Sequence, residues 1–309
     1  MGIAFALLAA AGYGASYFFT QLGLRARRVP ALNAMMVNLV SANLALWLVF
    51  LFSLFFQPVV FRWNGLAFFV GAGLSAPLFG RYANLMSIQR IGAARASALV
   101  LSENIFAGPL AFLLFGQVLS LMTITGVVIL VGGMALFIYE VDAGTGASLG
   151  TLERPGGAGL SYARVGIAYG VASGLFAAAA NLLRQAGVDA IPSALLGSAI
   201  GTLAALVVVG ASALRSKRLV MSMQMDRRDA THFAASGIAS SIAMLALFWA
   251  LDTGSTVAVA TAIKNTSPLF TFALVAAFLP RHERVTLRLG LLIALVVAGA
   301  ALIAAGRLH

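Results

Sequence analysis

The sequence contains no cysteine, only three histidines and only nine acidic residues among its 309 positions. The lack of cysteine excludes disulfides and thiolate metal ligands, and it leaves the redox compartment undetermined. No phosphate-binding loop, zinc-protease helix motif or nucleophile-elbow motif occurs, so ATP-driven transport by this chain alone is not expected. We therefore predict no enzymatic activity, no cofactor and no metal site.

Charge is scarce as well, at 9% of residues, whereas 61% are hydrophobic and the mean hydropathy is +0.99. Soluble domains carry about 25% charged residues, so this composition indicates an integral membrane protein. A helix that crosses a hydrocarbon core of about 30 Å needs about 20 apolar residues. The segments that satisfy this are 3–23, 32–56, 65–86, 96–116, 120–139, 165–187, 192–213, 232–251, 255–279 and 286–306. The predicted fold class is all-α, with ten transmembrane helices.

The net charge of +11 is distributed unevenly over the predicted loops. Fifteen basic residues lie in the odd-numbered loops, whereas the even-numbered loops and the C-terminal tail hold only Arg62 and Arg307. Basic residues are retained on the cytoplasmic side of a membrane. The odd loops are therefore predicted to be cytoplasmic and both termini extracytoplasmic, in a cell inner membrane. Topology and contact with anionic lipids explain the charge, and nucleic acid is not an expected partner.

The two halves of the chain repeat the same order of five spans. Their openings align without a gap, from Gly2 against Gly166 to Gln21 against Gln185. The same shift of 164 residues places Gly126 on Gly290. A repeat with an odd number of spans enters the membrane from opposite sides in its two copies, as in alternating-access transporters.

The repeat also defines the predicted domains. The first five-helix repeat covers 1–139 and the second covers 165–309, with 140–164 between them as a cytoplasmic linker. Glycine, serine and several charges make the linker polar, and this composition is typical of a flexible tether. For the oligomeric state, a monomer and a homodimer both stay open.

Two ionisable side chains, Lys264 and Glu103, fall in the middle of predicted spans. An ionised group at the bilayer centre costs about 2.5–3.5 kcal/mol on insertion scales, so each should face protein or water. Aligning the halves locally at Gly92 and Gly254 places Lys264 on Ser102, so the two charges occupy nearly equivalent positions. Two interpretations stay open: a neutralising ion pair, or a substrate site with Lys264 on an anion and Glu103 on an ammonium group or a coupling proton.

Arg81 and Arg184 lie near the ends of the third and sixth spans, beside Asn84 and Asn181 respectively. Either arginine could extend its guanidinium to the membrane surface, or the two could line opposite vestibules of one cavity. In the second case, the intramembrane excess of positive charge suits a substrate with a carboxylate or a phosphate.

Aromatic, amide and proline side chains complete the candidates. Tyr13 and Tyr17 are one turn apart and form either an aromatic wall of a cavity or ordinary packing. Asn38, with Asn33 and Asn43, is expected to hydrogen-bond between helices. Three prolines can each kink or loosen a span, because proline removes a helical hydrogen bond. They are Pro77, Pro109 and Pro268.

The repeat ends carry a recurring pattern. The second half has Pro268, then His282-Glu283-Arg284-Val285-Thr286, then Gly290 and Gly299. The first half has Pro109, then Gly116-Gln117-Val118-Leu119-Ser120, then Gly126 and Gly133. This pattern resembles the drug/metabolite transporter superfamily, specifically its ten-span proteins with two EamA-type repeats. The departures are Gln117 where Glu is usual and His282 where Gly is usual.

The resemblance implies a carrier whose cavity is lined by the first, third and fourth helices of each repeat, with the fifth helices at the periphery. Carried onto this chain, it gives nine candidate substrate-binding residues. They are Tyr13, Tyr17, Arg81, Glu103, Asn104, Asn181, Arg184, Lys264 and Asn265. A lysine in the ninth helix resembles a feature of the nucleotide-sugar and sugar-phosphate branches of the superfamily. Their Gly-Ala-Leu-Asn-Lys string is absent from this sequence, so their substrates are not assigned to this chain.

The leading functional hypothesis is a secondary carrier that exports amino acids or related small metabolites, with an anionic or zwitterionic substrate and the proton as a candidate coupling ion. The alternative is a carrier or flippase for a phosphorylated or lipid-linked anion. A membrane-embedded enzyme would need clustered histidine or aspartate at a membrane face, and the sequence has no such cluster. A structural role would leave the inverted repeat and the central charges without a purpose.

Overall fold

A computed structural model of the chain describes residues 1–25, 29–55, 62–107, 110, 120–144, 158–215, 225–253, 257–279 and 286–306. Several features discussed above lie outside these ranges. They are the middle of the linker, 145–157, together with Pro109 and the motif residues 116–119 and 282–285.

The described residues form apolar helices, as the composition predicts. In chain order they are α1 (Gly2–Gly23), α2 (Ala31–Ser53), α3 (Trp63–Ile91), α4 (Ala93–Val100), α5 (Leu121–Gly144), α6 (Ala158–Ala190), α7 (Ala194–Arg215), α8 (Arg227–Asp252), α9 (Val257–Lys264), α10 (Ser267–Phe278) and α11 (Leu287–Ala305). Seven of them are long and apolar enough to cross a membrane, and Leu121–Leu136 is a shorter apolar stretch. The all-α membrane fold is therefore confirmed. Both ends of the predicted linker are helical, since α5 runs to Gly144 and α6 begins at Ala158.

The fourth and ninth spans are interrupted in the same way in the two repeats. A two-residue turn follows Val100 in the fourth span and Lys264 in the ninth, and helix resumes at Glu103 and Ser267. The backbone hydrogen bonds also correspond. The amide of Ile105 donates to Ser102 O at 2.9 Å, and the amide of Leu269 donates to Thr266 O at 2.9 Å.

These matching interruptions correct the local alignment drawn from sequence. The turns are 264 − 100 = 164 residues apart, the same shift as at the openings of the repeats. Lys264 therefore corresponds to Val100, and Glu103 corresponds to Ser267, three residues further along the span. The expectation that Lys264 falls on Ser102 was wrong by two residues, and the two charges are about one helical turn from exact equivalence.

The last helices of the repeats, α5 and α11, follow a different shift. Ser120 and Thr286 cap them, with their hydroxyl oxygens accepting from the amides of Thr123 at 3.2 Å and Leu289 at 3.1 Å. Such caps satisfy amides that have no partner within the helix. The caps are 286 − 120 = 166 residues apart, which places Gly133 on Gly299. The predicted match of Gly126 with Gly290 is therefore wrong, because the second half has two more residues before its last helix.

Helix packing follows the repeat. The helix α1 packs mainly on α8, and its counterpart α6 packs on α3, while α2 contacts α7 across the two halves. The helices α5 and α11 pack on each other. At that contact a Cβ on Gly299 would lie 2.6 Å from the backbone nitrogen of Leu130, so only glycine permits this approach.

Two features shape the third span. Pro77 lies in a π-helical turn, Leu74–Gly80, within α3, as expected for a residue that removes a helical hydrogen bond. Gly92 separates α3 from α4 with φ of 88°, a conformation that side chains disfavour. By contrast, Pro268 is the second residue of α10, where its missing amide hydrogen removes no helical bond. The span is interrupted before it.

Candidate functional site

A central cavity of about 260 Å³ lies between the two repeats. Its described lining comes from the first four spans of each repeat, and α5 and α11 contribute none of it. Seven of the nine predicted residues line this cavity: Tyr13, Tyr17, Arg81, Glu103, Asn181, Arg184 and Lys264. The lining by first, third and fourth helices is as expected, and the second helices of both repeats also take part through Ala42 and Thr202.

An ion pair between the two repeats lies at the wall of the cavity. The Nζ atom of Lys264 donates to Oε1 of Glu103 at 2.7 Å. Their side chains are only 19% and 10% exposed, so the pair lies inside the bundle. Because an ammonium group has three hydrogens, Lys264 retains donors beyond the one that binds Glu103.

The span interruptions place this pair. Lys264 ends α9 and Glu103 begins the resumed helix of the fourth span, so each charge lies where a regular helix stops or starts. Gly174 lets α6 pack closely against the turn of the fourth span. A Cβ at this position would lie 2.8 Å from the amide nitrogen of Glu103 and would also contact Ser102. Ser267 at the start of α10 lines the cavity. Helix N-termini carry a positive partial charge that favours bound anions.

Two arginines add positive charge to the same cavity. The Nη1 atom of Arg184 donates to Oδ1 of Asn181 at 3.1 Å, which holds the guanidinium at the cavity. Arg81 lines the cavity from α3, just after the π-helical turn. Among the described lining residues, three cations face one carboxylate, that of Glu103. Both arginines therefore line one cavity, which agrees with that part of the second sequence-based interpretation; their predicted place in opposite vestibules stays a prediction.

The remaining two candidates lie beside the cavity rather than in its lining. Asn104 is 3% exposed, and its Nδ2 donates to Leu101 O at 3.1 Å. Asn265 is fully buried in the turn of the ninth span, and its amide group has no hydrogen-bond partner among the described residues. Asn265 lies within the interruption of its span and Asn104 just after the interruption of the other, and neither lines the cavity.

Sequence reasoning missed the hydroxyl groups of the cavity. They belong to Ser97, Ser198, Thr202, Ser240, Ser241 and Ser267. Several also bond to backbone carbonyls, as Thr202 does to Ser198 O at 2.9 Å. The one available signal was spacing, because Ser198 and Thr202 are one turn apart on a helix face. In an apolar span such residues are equally typical of helix packing.

The predicted role of Asn38 is confirmed. Its Nδ2 atom donates to Ser236 Oγ at 3.0 Å and so joins α2 to α8. Asn43, however, donates to Leu39 O of its own helix at 3.1 Å.

Comparison with known proteins agrees with this architecture. The model of the EamA-like transporter family matches residues 1–139 and 164–305. No curated protein matches the chain. A solved structure titled only "Crystal structure of protein" is similar with a TM-score of 0.61 at 14% identity, over 96% of this chain and 94% of that chain. At this identity the likeness concerns the fold alone.

Proposed function

The chain belongs to the EamA-like transporter family, and we propose that it is a secondary active carrier that exports amino acids or related small metabolites by alternating access. The observation that carries this proposal is the buried Lys264–Glu103 pair at the wall of a cavity between two repeats. The proposal places the chain in the inner membrane of a bacterium, with both termini outside.

The size and charge of the cavity support a small zwitterionic substrate. A volume of about 260 Å³ lies below the range of about 300–1,000 Å³ that is typical of drug-sized ligands. A substrate carboxylate would bind Lys264 and Arg184, and an ammonium group would bind Glu103. In this arrangement one zwitterion replaces the internal ion pair by two intermolecular pairs, so neither buried charge is left uncompensated.

Glu103 is also the proposed site of coupling to protons. When a substrate carboxylate occupies Lys264, Glu103 loses its 2.7 Å partner. A substrate that lacks an ammonium group would leave the Glu103 carboxylate without a cation, and a bound proton would then neutralise it. Exchange of a proton for substrate at Glu103 would couple the flux of protons to the flux of substrate.

The charge excess favours a second candidate, a carrier for a phosphorylated or lipid-linked anion. Three cations against one carboxylate leave more positive charge than a zwitterion needs, and a dianionic phosphate would use it. The absence of the Gly-Ala-Leu-Asn-Lys string offers no support for nucleotide sugars in particular.

Counterflow with the purified chain in liposomes tests both candidates. Liposomes loaded with one unlabelled compound should accumulate the labelled form only if that compound is transported. The panel comprises neutral, acidic and basic amino acids, nucleotides and sugar phosphates. Accumulation of amino acids alone supports the first candidate, accumulation of phosphorylated compounds alone supports the second, and equal background for every compound contradicts both.

A further inference from the structure

A second, smaller cavity of about 160 Å³ adjoins the central one. Tyr13, Tyr17 and Arg81 line both cavities. The second cavity lies nearer the end of α1 and the start of α8, as its lining residues Thr20 and Phe233 show. This is the side of the odd-numbered loops, which is predicted to be cytoplasmic.

The repeat relates the two cavities. Most residues of the second cavity correspond to residues of the central cavity when their numbers are shifted by 164. In the first repeat the shift is added, and in the second it is subtracted. Examples are Tyr17 with Asn181, Thr20 with Arg184, Asn38 with Thr202, Asn84 with Phe248, and Ser236 with Ala72. The two volumes are therefore built from equivalent positions of the two inverted repeats. An inverted repeat places such volumes on opposite sides of the membrane midplane.

The chemistry of the second cavity is not a copy of the first. Arg81 corresponds to Leu245, which does not line the central cavity, and Arg184 corresponds to Thr20, so neither arginine has an arginine at its equivalent position. No carboxylate occurs among the described residues that line the second cavity. Its cation is therefore uncompensated within that lining, and a cation in a low-dielectric cavity attracts anions.

Amide oxygens in the same cavity lack donors. Asn38 is 5% exposed, and while its Nδ2 donates to Ser236, its Oδ1 has no hydrogen-bond partner among the described residues. The Oδ1 atom of Asn84, which also lines this cavity, is likewise buried without a partner in the described part of the chain. Buried acceptors without donors are costly. Both oxygens are shielded from solvent, so a ligand that supplies N–H or O–H groups would bond to them once the side-chain amides turn toward the cavity.

We propose that the second cavity is a second binding station, in which Arg81 holds the anionic group of the substrate while Asn38 and Asn84 accept hydrogen bonds from its N–H or O–H donors. The ligand class is a small anion that also carries hydrogen-bond donors. Arg81 faces both volumes, so it can take over the anionic group when the substrate leaves Lys264. The inference rests on the proposed carrier function, but it assigns substrate binding to a cavity that Lys264 and Glu103 do not line.

The test measures attraction of anions at each cavity and needs no knowledge of the substrate. The chain has no cysteine, so Leu85→Cys in the second cavity and Phe248→Cys in the central one provide single reactive thiols. Each is treated with a negatively and a positively charged methanethiosulfonate reagent in proteoliposomes. The ratio of the two reaction rates reports the local potential.

We expect Arg81→Gln to lower the anion-to-cation rate ratio at Leu85→Cys by about tenfold, and Arg81→Lys to retain most of it. Lys264→Met should mainly affect Phe248→Cys. An unchanged ratio at Leu85→Cys in Arg81→Gln overturns the proposal. An equal fall at both thiols also overturns it, because Arg81 would then act on the whole interior rather than on a separate station.

The outcome is distinguishable from failure of the carrier function. Rate ratios can be measured whether or not any compound shows counterflow, and counterflow can occur with ratios that do not depend on Arg81. If Arg81→Gln is not recovered as folded protein, the rate ratio at Leu85→Cys is compared between Arg81→Lys and the chain that retains Arg81. A ratio at Leu85→Cys that favours the cationic reagent in both contradicts the station.

Discussion

The ammonium group of Lys264 and the carboxylate of Glu103 meet at 2.7 Å although 161 positions separate them in the sequence. One residue belongs to each repeat, and each lies next to an interruption of its span. The pair therefore joins the two repeats at the wall of the cavity that they enclose. A movement of one repeat against the other must stretch or replace this contact.

Loss of one partner should be costly for stability. Lys264→Met leaves Glu103 as a buried carboxylate without its cation, and breaking such a pair costs about 3–5 kcal/mol. Adding Glu103→Gln should restore most of the lost stability, since replacement of both charges is close to neutral. Thermal unfolding of the detergent-purified single and double variants measures this. Equal stability of the single variant and the unaltered chain would contradict a structural contribution from the pair.

The contact of α6 with the turn of the fourth span should tolerate no added carbon. A Cβ on Gly174 would lie 2.8 Å from the amide nitrogen of Glu103, so Gly174→Ala should destabilise the protein by about 1–3 kcal/mol through overpacking. Gly132→Ala is the matched control, because nothing lies within 4 Å of a Cβ at that position of α5. Unfolding midpoints that fall equally in both variants would show that the close approach is unimportant.

Topology can be tested with single cysteines, because the chain has none of its own. Ser148→Cys in the predicted cytoplasmic linker and Asn64→Cys at the start of α3 should react with membrane-impermeant maleimide from opposite sides. In intact cells only Asn64→Cys should be labelled. Labelling of Ser148→Cys from outside would reverse the orientation that the positive charges predict.

The domain boundaries predict that the repeats can be made separately. Co-expression of 1–150 and 151–309 should restore counterflow, since the helices of each half insert independently before they associate. Both fragments must first be detected in the membrane by immunoblotting. If both are inserted and counterflow is still absent, the connection between the halves contributes more than a tether.

Much of the fold could be predicted because span length and repeat order are strong signals in an apolar chain. The interruption after Lys264 agrees with the predicted effect of Pro268, which has no amide hydrogen to bond to the carbonyl of Lys264 four residues earlier. The interruption after Val100 could not be predicted, since no proline lies within four residues of its turn. At that turn the contact is tertiary, with Gly174 admitting the backbone of the fourth span. The local alignment of the repeats was wrong by two residues because it paired Gly92 with Gly254, whereas the shift of 164 pairs Gly92 with Thr256.

The candidate site was predictable for charged residues and less so for neutral ones. A charge inside a span must face protein or water, and Arg81, Arg184, Lys264 and Glu103 all reach the cavity. An asparagine can hydrogen-bond within its own span, as Nδ2 of Asn104 does to Leu101 O, so its position in sequence does not decide whether it faces the cavity.

The most direct test of the central claim is counterflow by the Lys264→Met, Glu103→Gln double variant in liposomes, with a compound that the unaltered chain transports. If Lys264 binds the anionic group of the substrate, the double variant should fold with near-normal stability and lose counterflow, because removal of both charges does not replace the ligand contact. Full counterflow by the double variant would show that the two charges only neutralise each other, and would contradict the proposed role of Lys264.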